Sequence, residues 1–335
     1  MKTLFKTFTG LLFIMLLATG IGSVTGFSPV AVFAGILTLS LFTTRQSGVL
    51  LAGVNKEIWL PEILENFFPD ASFLSKARNF DAFVENDKIN LAEAGVSPDV
   101  LINNTTYPVP VEERNDTPIA IELDYYDTKN TVIRNADKVE LAYDKLQSVT
   151  YGHKQALQSK FAQKAIHAYA PAADGTFTPV IGTSGATNGA GVKKISFEDI
   201  LKLFKRFNEV DLPGDRVLVL HPEHESELMA EDLKLYKEVM NTQNLFGFKV
   251  FRFSKMPVFD KTTGAKKAFG AAAGANDTIS SVAYIETEVM RALGTMDMFF
   301  KEKDPEARGD IIGFQMRGIA LPIRGKGIAA IYSAS

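Results

Sequence analysis

Between Lys138 and Tyr169, Val139, Ala142, Leu146, Val149, His153, Leu157 and Phe161 recur at steps of three and four. That spacing places them on one face of a helix. Lys145, Gln147, Lys154, Gln158 and Lys164 fall mostly on the opposite face. Asp137 stands before the helix as an N-cap candidate, with Glu140 three residues on, as in a capping box. Pro171 and then Asp174-Gly175 stop it. At 1.5 Å per residue such a helix reaches about 45 Å, so its stripe needs a sheet or other helices along its whole length. It is the expected spine of the protein.

The period changes upstream. From Phe80 to Arg134 no helical spacing occurs; Lys88 to Leu91, Tyr107 to Val111 and Pro118 to Tyr126 alternate apolar with polar residues, as strands do. Turn clusters separate them at Gly95 to Asp99, Asn103-Asn104 and Glu112 to Asp116. The pattern predicts a long β-hairpin with few residues for a core of its own, which points to burial on another chain. Before it, Asn55 to Phe80 predicts two short helices broken at Pro69-Asp70, with Trp59, Ile63, Leu64, Phe67 and Phe68 as an apolar cluster.

Downstream, Asp174 to Lys194 is rich in Gly, Ala, Thr and Ser and reads as a loop. Ser196 caps a helix whose buried stripe is Ile200, Leu203, Phe204 and Phe207. Pro213-Gly214-Asp215 turns the chain into Arg216 to Leu220, a run suited to a strand buried on both faces. Pro222 starts the next helix, a short helical segment follows from Asp232, and Phe248 to Phe253 alternates as a strand. Thr262 to Thr278 reads as a loop, Ser281 to Ile285 as a strand, and Val289 to Leu293 as a short helix. Ile311 to Leu321 and Gly327 to Tyr332 read as strands around turns at Asp304-Pro305 and Arg324-Gly325.

The first 45 residues stand apart: no charged residue lies between Lys6 and Arg45. Leu11 to Ala18 and Val30 to Phe42 are apolar runs, each shorter than the ~20 residues of a membrane helix. Lys2 and Lys6 before an apolar run, with Val32-Phe33-Ala34 beyond, fit an exported leader. A membrane segment, a removable leader and an arm packed on neighbouring subunits all remain open.

Composition narrows the function. The 335 residues are 46% hydrophobic and 22% charged, an ordinary globular balance. The net charge of −3 excludes a nucleic-acid binder that works by bulk positive charge. There is no Cys, hence no disulfide, thiolate metal site or Cys nucleophile.

His221-Pro222-Glu223-His224-Glu225 is the one cluster resembling a metal site, but it matches neither H-E-x-x-H nor H-x-x-E-H. Its acidic residues suit a helix's first turns without any metal. Ser184 is not in a G-x-S-x-G elbow, Gly185 to Gly191 lacks the ending of a phosphate loop, and His153 falls in the spine stripe. No catalytic residue, cofactor or metal is expected.

The order of elements, however, is specific. A hairpin, a long helix and then a mixed α/β region resemble the major capsid protein of tailed bacteriophages, the Hong Kong 97 fold. LPGDRVLVLHPEHESELM is similar to that family's strand-then-helix unit. Asn244 to Val250 followed by Met256-Pro257 is similar to its strand entry, and SSVAYIETEVMRALGTMDMF with the charged KEKDPEARGD to its C-terminal region. The resemblance covers roughly residues 55–335.

It implies an α+β capsid fold divided as follows: 1–45 the apolar segment, 46–79 an N-terminal arm and 80–134 the extended hairpin loop over the next subunit. Residues 135–195 would hold the peripheral domain with its spine helix, 196–293 the axial domain, and 294–335 the C-terminal strands of the peripheral domain. It further implies hexamers and pentamers in an icosahedral head around double-stranded DNA, held without sequence-specific contacts. Scaffold, portal and maturation protease become candidate partners, and membrane contact through residues 7–44 is one reading of the N-terminus. The location implied is the virion capsid, assembled in the host cytoplasm or at its membrane. Lys88 is a candidate for the Lys–Asn crosslink of some members, although no motif marks it. The alternatives are an encapsulin-type shell or, from another class, a membrane-anchored metal-dependent hydrolase using His221 and His224.

Overall fold

The computed structural model describes residue 67 and residues 72–85, 87–93, 117–134, 145–189, 191–272 and 274–335. The apolar N-terminus, the Trp59 cluster, the hairpin turns from Gly95 to Asp116, and the start of the spine helix with Asp137 lie outside them.

In chain order the strands begin with β1 (Arg78–Asn79), β2 (Val84–Glu85), β3 (Lys88–Glu93), β4 (Thr117–Glu122), β5 (Asp124–Asp127) and β6 (Thr131–Arg134). Then come α1 (Lys145–Tyr169), β7 (Val180–Gly182), α2 (Phe197–Val210), β8 (Arg216–Leu220), α3 (Pro222–Glu231), α4 (Leu233–Thr242), β9 (Asn244–Leu245) and β10 (Phe248–Arg252). The chain closes with β11 (Phe259–Asp260), β12 (Asp277–Thr278), β13 (Ser280–Ile285), β14 (Val289–Asp304), β15 (Gly309–Pro322) and β16 (Ile328–Tyr332).

Two sheets form the body. One runs β1-β14-β15-β5, with β6 also on β15; the other runs β7-β16-β13-β8-β10-β9. The stripe of α1 continues as expected: Leu157, Phe161, Ala165, Ile166 and Tyr169 are buried, and the helix packs across β15. The approach is close enough to require glycine at Gly318, where a Cβ would lie 3.0 Å from the Phe161 ring and 3.1 Å from the Ala292 carbonyl oxygen. Tyr169 at the helix end donates to the Met290 carbonyl at 3.0 Å and packs its ring at a tilt against Tyr284, with centroids 5.2 Å apart. The Lys266 ammonium donates to the last-turn carbonyls of His167 and Ala170, which the helix itself leaves unsatisfied.

In the six-stranded sheet, Val217 to Leu220 are fully buried between antiparallel β13 and parallel β10. Helix α2 packs Ile200, Leu203 and Phe207 onto the same core, and its start is a Ser196/Asp199 capping box. Helix α3 starts at Pro222 with His221 as its cap, Nδ1 accepting the Glu223 N–H at 3.2 Å.

Three local expectations change, and a fourth strand finds its place. Val289 to Leu293 is the start of strand β14, paired residue by residue with Leu293↔Gly318 back to Val289↔Pro322; five apolar residues carry too little period to tell helix from strand. Asp174 to Lys194 contains β7, which joins β16 in parallel. The run Pro118 to Tyr126 is two strands on two sheets, breaking at buried Leu123, whose N–H bonds the Asp87 carbonyl at 3.1 Å. β16, whose Ile328 to Ile331 are all buried, is the expected C-terminal strand and lies in the six-stranded sheet between β7 and β13.

Candidate assembly surfaces

The hairpin is clamped at its root. β3 and β4 pair antiparallel from Lys88↔Glu122 out to Glu93↔Thr117, and β2 adds a short third strand. Ile89 is fully buried and joins Phe80, Leu123, Met290, Ala292 and Ile319 in one cluster, so the root shares the core of the five-stranded sheet. Asp87, at a turn with φ +62°, pairs with Arg317 of β15, and the Arg317 guanidinium lies 4.7 Å over the Tyr125 ring. Lys88 meets Glu122 at 2.8 Å, which raises the ammonium pKa and lowers that of the carboxyl; both are solvent-exposed. From this fixed base the strands stay paired as far as Glu93 and Thr117.

The chain steps directly from one sheet to the other at two neighbouring connections, from β13 to β14 and from β15 to β16. The crossings are tied together. Glu288, fully buried, accepts both the Nε (3.1 Å) and Nη2 donors of Arg324, a two-point pairing that fixes orientation. The Ile323 N–H donates to the Glu288 carbonyl at 2.8 Å and the Ile285 N–H to the Gly327 carbonyl at 2.9 Å. The hydrogen bond to Glu288 raises the Arg324 pKa.

The sequence-marked residues go to structural work. His224 is fully buried, with Nδ1 and Nε2 each 2.8 Å from the Ser281 and Ser333 hydroxyls. Burial, with His221 adding to it, pulls its pKa down to about 3. His221 is spent on the helix cap, and among the described residues no group of three His, Cys, Asp or Glu could hold a metal. The Ser184 hydroxyl donates to buried Asp199 at 2.5 Å and accepts from Lys202 at 3.1 Å; Asp199 also closes the α2 capping box. His153 packs against Phe314 at 5.2 Å. Sequence reading missed the Asp87–Arg317 and Glu288–Arg324 pairs. Their members stand 230 and 36 positions apart, and no local pattern links them.

A long helix laid over a sheet, a hairpin anchored on that sheet's edge and a second, helix-flanked sheet together define a capsid fold of the Hong Kong 97 type. Solved structures share it. The capsid of the cyanophage P-SCSP1u matches with a TM-score of 0.56 and 16% identity, over 78% of this chain and 87% of that one. The capsid of Ralstonia phage GP4 matches at 0.58 and 10%, over 78% and 87%. A virus-like particle from Pyrococcus furiosus matches at 0.53 and 11%, over 83% and 99%. No curated protein matches. The phage capsid protein family model matches residues 126–331, more than half of the sequence, and the chain belongs to that family. Its role is that of a structural major capsid protein, a component of the virion.

Proposed function

We propose that many copies of this chain close into an icosahedral head that encloses double-stranded DNA, with hexamers and pentamers as its units. The six-stranded sheet with α2 to α4 serves as the axial domain, and the five-stranded sheet with α1 as the peripheral domain. The observation that supports this reading is the hairpin: its root is locked into the subunit's own core by Ile89 and the Asp87–Arg317 pair, and its strands stay paired as far as Glu93 and Thr117. A hairpin held at its root, whose sequence beyond the root offers few residues for a core of its own, is suited to reach a neighbouring copy, and shells multiply such modest contacts over many neighbours. DNA is held by confinement inside the shell, in keeping with a net charge of −3.

The Glu93↔Thr117 pair allows a clean test, because a two-residue Asn-Gly turn can close an antiparallel ladder there. Replacing residues 94–116 by Asn-Gly is expected to leave a folded, soluble protein that no longer closes shells. Normal shells from the shortened chain would overturn the role given to the arm. Shells that form but stay free of nucleic acid in infected cells would favour a compartment shell over a phage head.

A further inference from the structure

The Gly-rich stretch after β7 folds back on itself as a tight hairpin. Thr187 bridges to Lys193, the Asn188 N–H donates to the Val192 carbonyl at 2.8 Å, and the Gly191 N–H returns to the Asn188 carbonyl at 3.1 Å. At its tip stands Asn188-Gly189, the one Asn-Gly step in the 335 residues. Gly189 is exposed, and its N–H has no partner among the described residues. The Asn188 side chain, in contrast, is held from two sides. Its Oδ1 accepts the Val192 N–H at 3.3 Å, and its amide donates to Glu227 of α3. Glu227 also accepts the Ile195 N–H at 3.0 Å, and burial raises its pKa above that of an ordinary glutamate.

We propose that Asn188 is a self-modifying site: its side chain cyclises onto the Gly189 nitrogen and then opens to aspartate and isoaspartate. The hairpin supplies what this reaction needs. The Gly189 nitrogen is unengaged, and with no side chain on that residue nothing crowds its approach to the Asn188 Cγ. The Val192 N–H draws charge from the side-chain carbonyl and stabilises the oxyanion that forms on Oδ1. Glu227, kept partly protonated by its burial, gives a proton to the departing Nδ2. The atoms balance. The Gly189 nitrogen loses its proton to solvent and bonds Cγ, the Cγ–Nδ2 bond breaks, and Nδ2 leaves with the added proton as ammonia. Water then opens the succinimide ring at either carbonyl, giving aspartate by one route and isoaspartate by the other, and Glu227 recovers its proton from solvent.

Both products place a new negative charge beside Glu227, and isoaspartate adds a methylene to the main chain of the hairpin. The return strand of that hairpin holds the end of the chain: the Lys193 N–H donates to the Ala334 carbonyl at 2.7 Å, and the Thr183 hydroxyl donates to the Lys193 carbonyl at 2.7 Å. Conversion therefore loosens the grip on the C-terminal tail, and it accumulates in any assembly whose subunits are not renewed.

The test stores the folded, full-length protein in neutral buffer and follows it by peptide mapping. The expected result is a gain of about 1 Da at Asn188, part of it isoaspartate by methyltransferase labelling, with uptake of heavy oxygen when the water carries it. Asn130 and Asn208, followed by Thr131 and Glu209, should stay intact over the same period. Gly189→Ala is the decisive variant. Its Cβ meets nothing within 4 Å and the backbone there lies outside the left-handed region, so the fold is kept. Conversion should slow about tenfold or more. Conversion at Asn188 no faster than at Asn130 and Asn208, or an equal rate in Gly189→Ala, would overturn the proposal. So would conversion that occurs in urea and not in the folded chain, because the hairpin would then be protecting the site. Glu227→Gln, which keeps an acceptor for the Ile195 N–H, should slow the reaction several-fold; an unchanged rate would overturn the part given to Glu227. Hydrogen exchange at the Lys193 amide should be faster in converted than in fresh protein, and equal exchange would overturn the loosening of the tail.

Discussion

Acidifying the subunit from about pH 7.5 to about pH 5 is expected to weaken its fold by about 2 kcal/mol through His224 alone. The side chain is fully buried between two serine hydroxyls, and its folded pKa is about 3. The unfolded chain has an ordinary histidine, with a pKa of about 6.5. Between those two values the unfolded state binds a proton that the folded state refuses, so stability rises with pH across this window and falls on acidification. The loss begins as pH drops through about 6.5, reaches about 2 kcal/mol near pH 5, and about 4 kcal/mol near pH 3. His153, His167 and His221 also have pKa values lowered by burial, and Asp215, Asp260, Asp277 and Asp304 have theirs lowered by their hydrogen-bond partners; all of them act in the same direction, losing stability on acidification. Subtraction isolates His224. The assay is urea unfolding of unassembled subunits at the two pH values, wild type against His224→Gln, which cannot titrate but keeps an amide for one serine. The variant is less stable at neutral pH, and its further loss on acidification should be smaller than the wild type's by about 2 kcal/mol. With m of about 3 kcal/mol per molar urea, that is a difference of about 0.7 M in midpoint shift. Equal shifts in the two proteins would refute the reasoning.

Gly318→Ala should destabilise by about 1–3 kcal/mol, since its Cβ meets both the Phe161 ring and a fixed carbonyl; an unchanged melting temperature would show that α1 can lift off β15 freely. Arg324→Met leaves Glu288 buried without its cation and should lower subunit stability by about 2 kcal/mol, discounted because Arg324 is half exposed; calorimetry showing no change would remove the tie between the two sheet crossings. The uncharged segment from Thr7 to Thr44 exposes a large apolar surface if left in water, so it is expected either to be cut away between about Ala34 and Asn55 or to enter a membrane during assembly. Intact mass of mature particles decides this: the full 36.7 kDa chain in lipid-free particles would contradict both outcomes and leave a packed arm.

The elements legible in the sequence were those whose own pattern decides them. The α1 stripe, the buried run Arg216 to Leu220 and the Pro222 helix start are each fixed by spacing or by a single residue's backbone limits. Val289 to Leu293 was not legible, because β14 owes its strand to β15, some twenty residues further on. The split of Pro118 to Tyr126 was hidden for a similar reason. Its alternation runs unbroken, and only the tertiary pull of β3 on one half and β15 on the other bends the chain at Leu123. As for the assembly surfaces, the pairing of β3 with β4 was visible in the sequence as alternation around turn residues. Its latch, Asp87 with Arg317, was not, since a contact over such a separation leaves no local mark.

The most direct measurement is electron microscopy of the full-length chain expressed alone or with its neighbouring phage genes. Closed, icosahedral shells of uniform size, in which single-particle averaging resolves six- and five-fold rings with α1 lying across the five-stranded sheet in each subunit, are the predicted result. A folded protein that stays monomeric or dimeric at every concentration and ionic strength, in both settings, would contradict it.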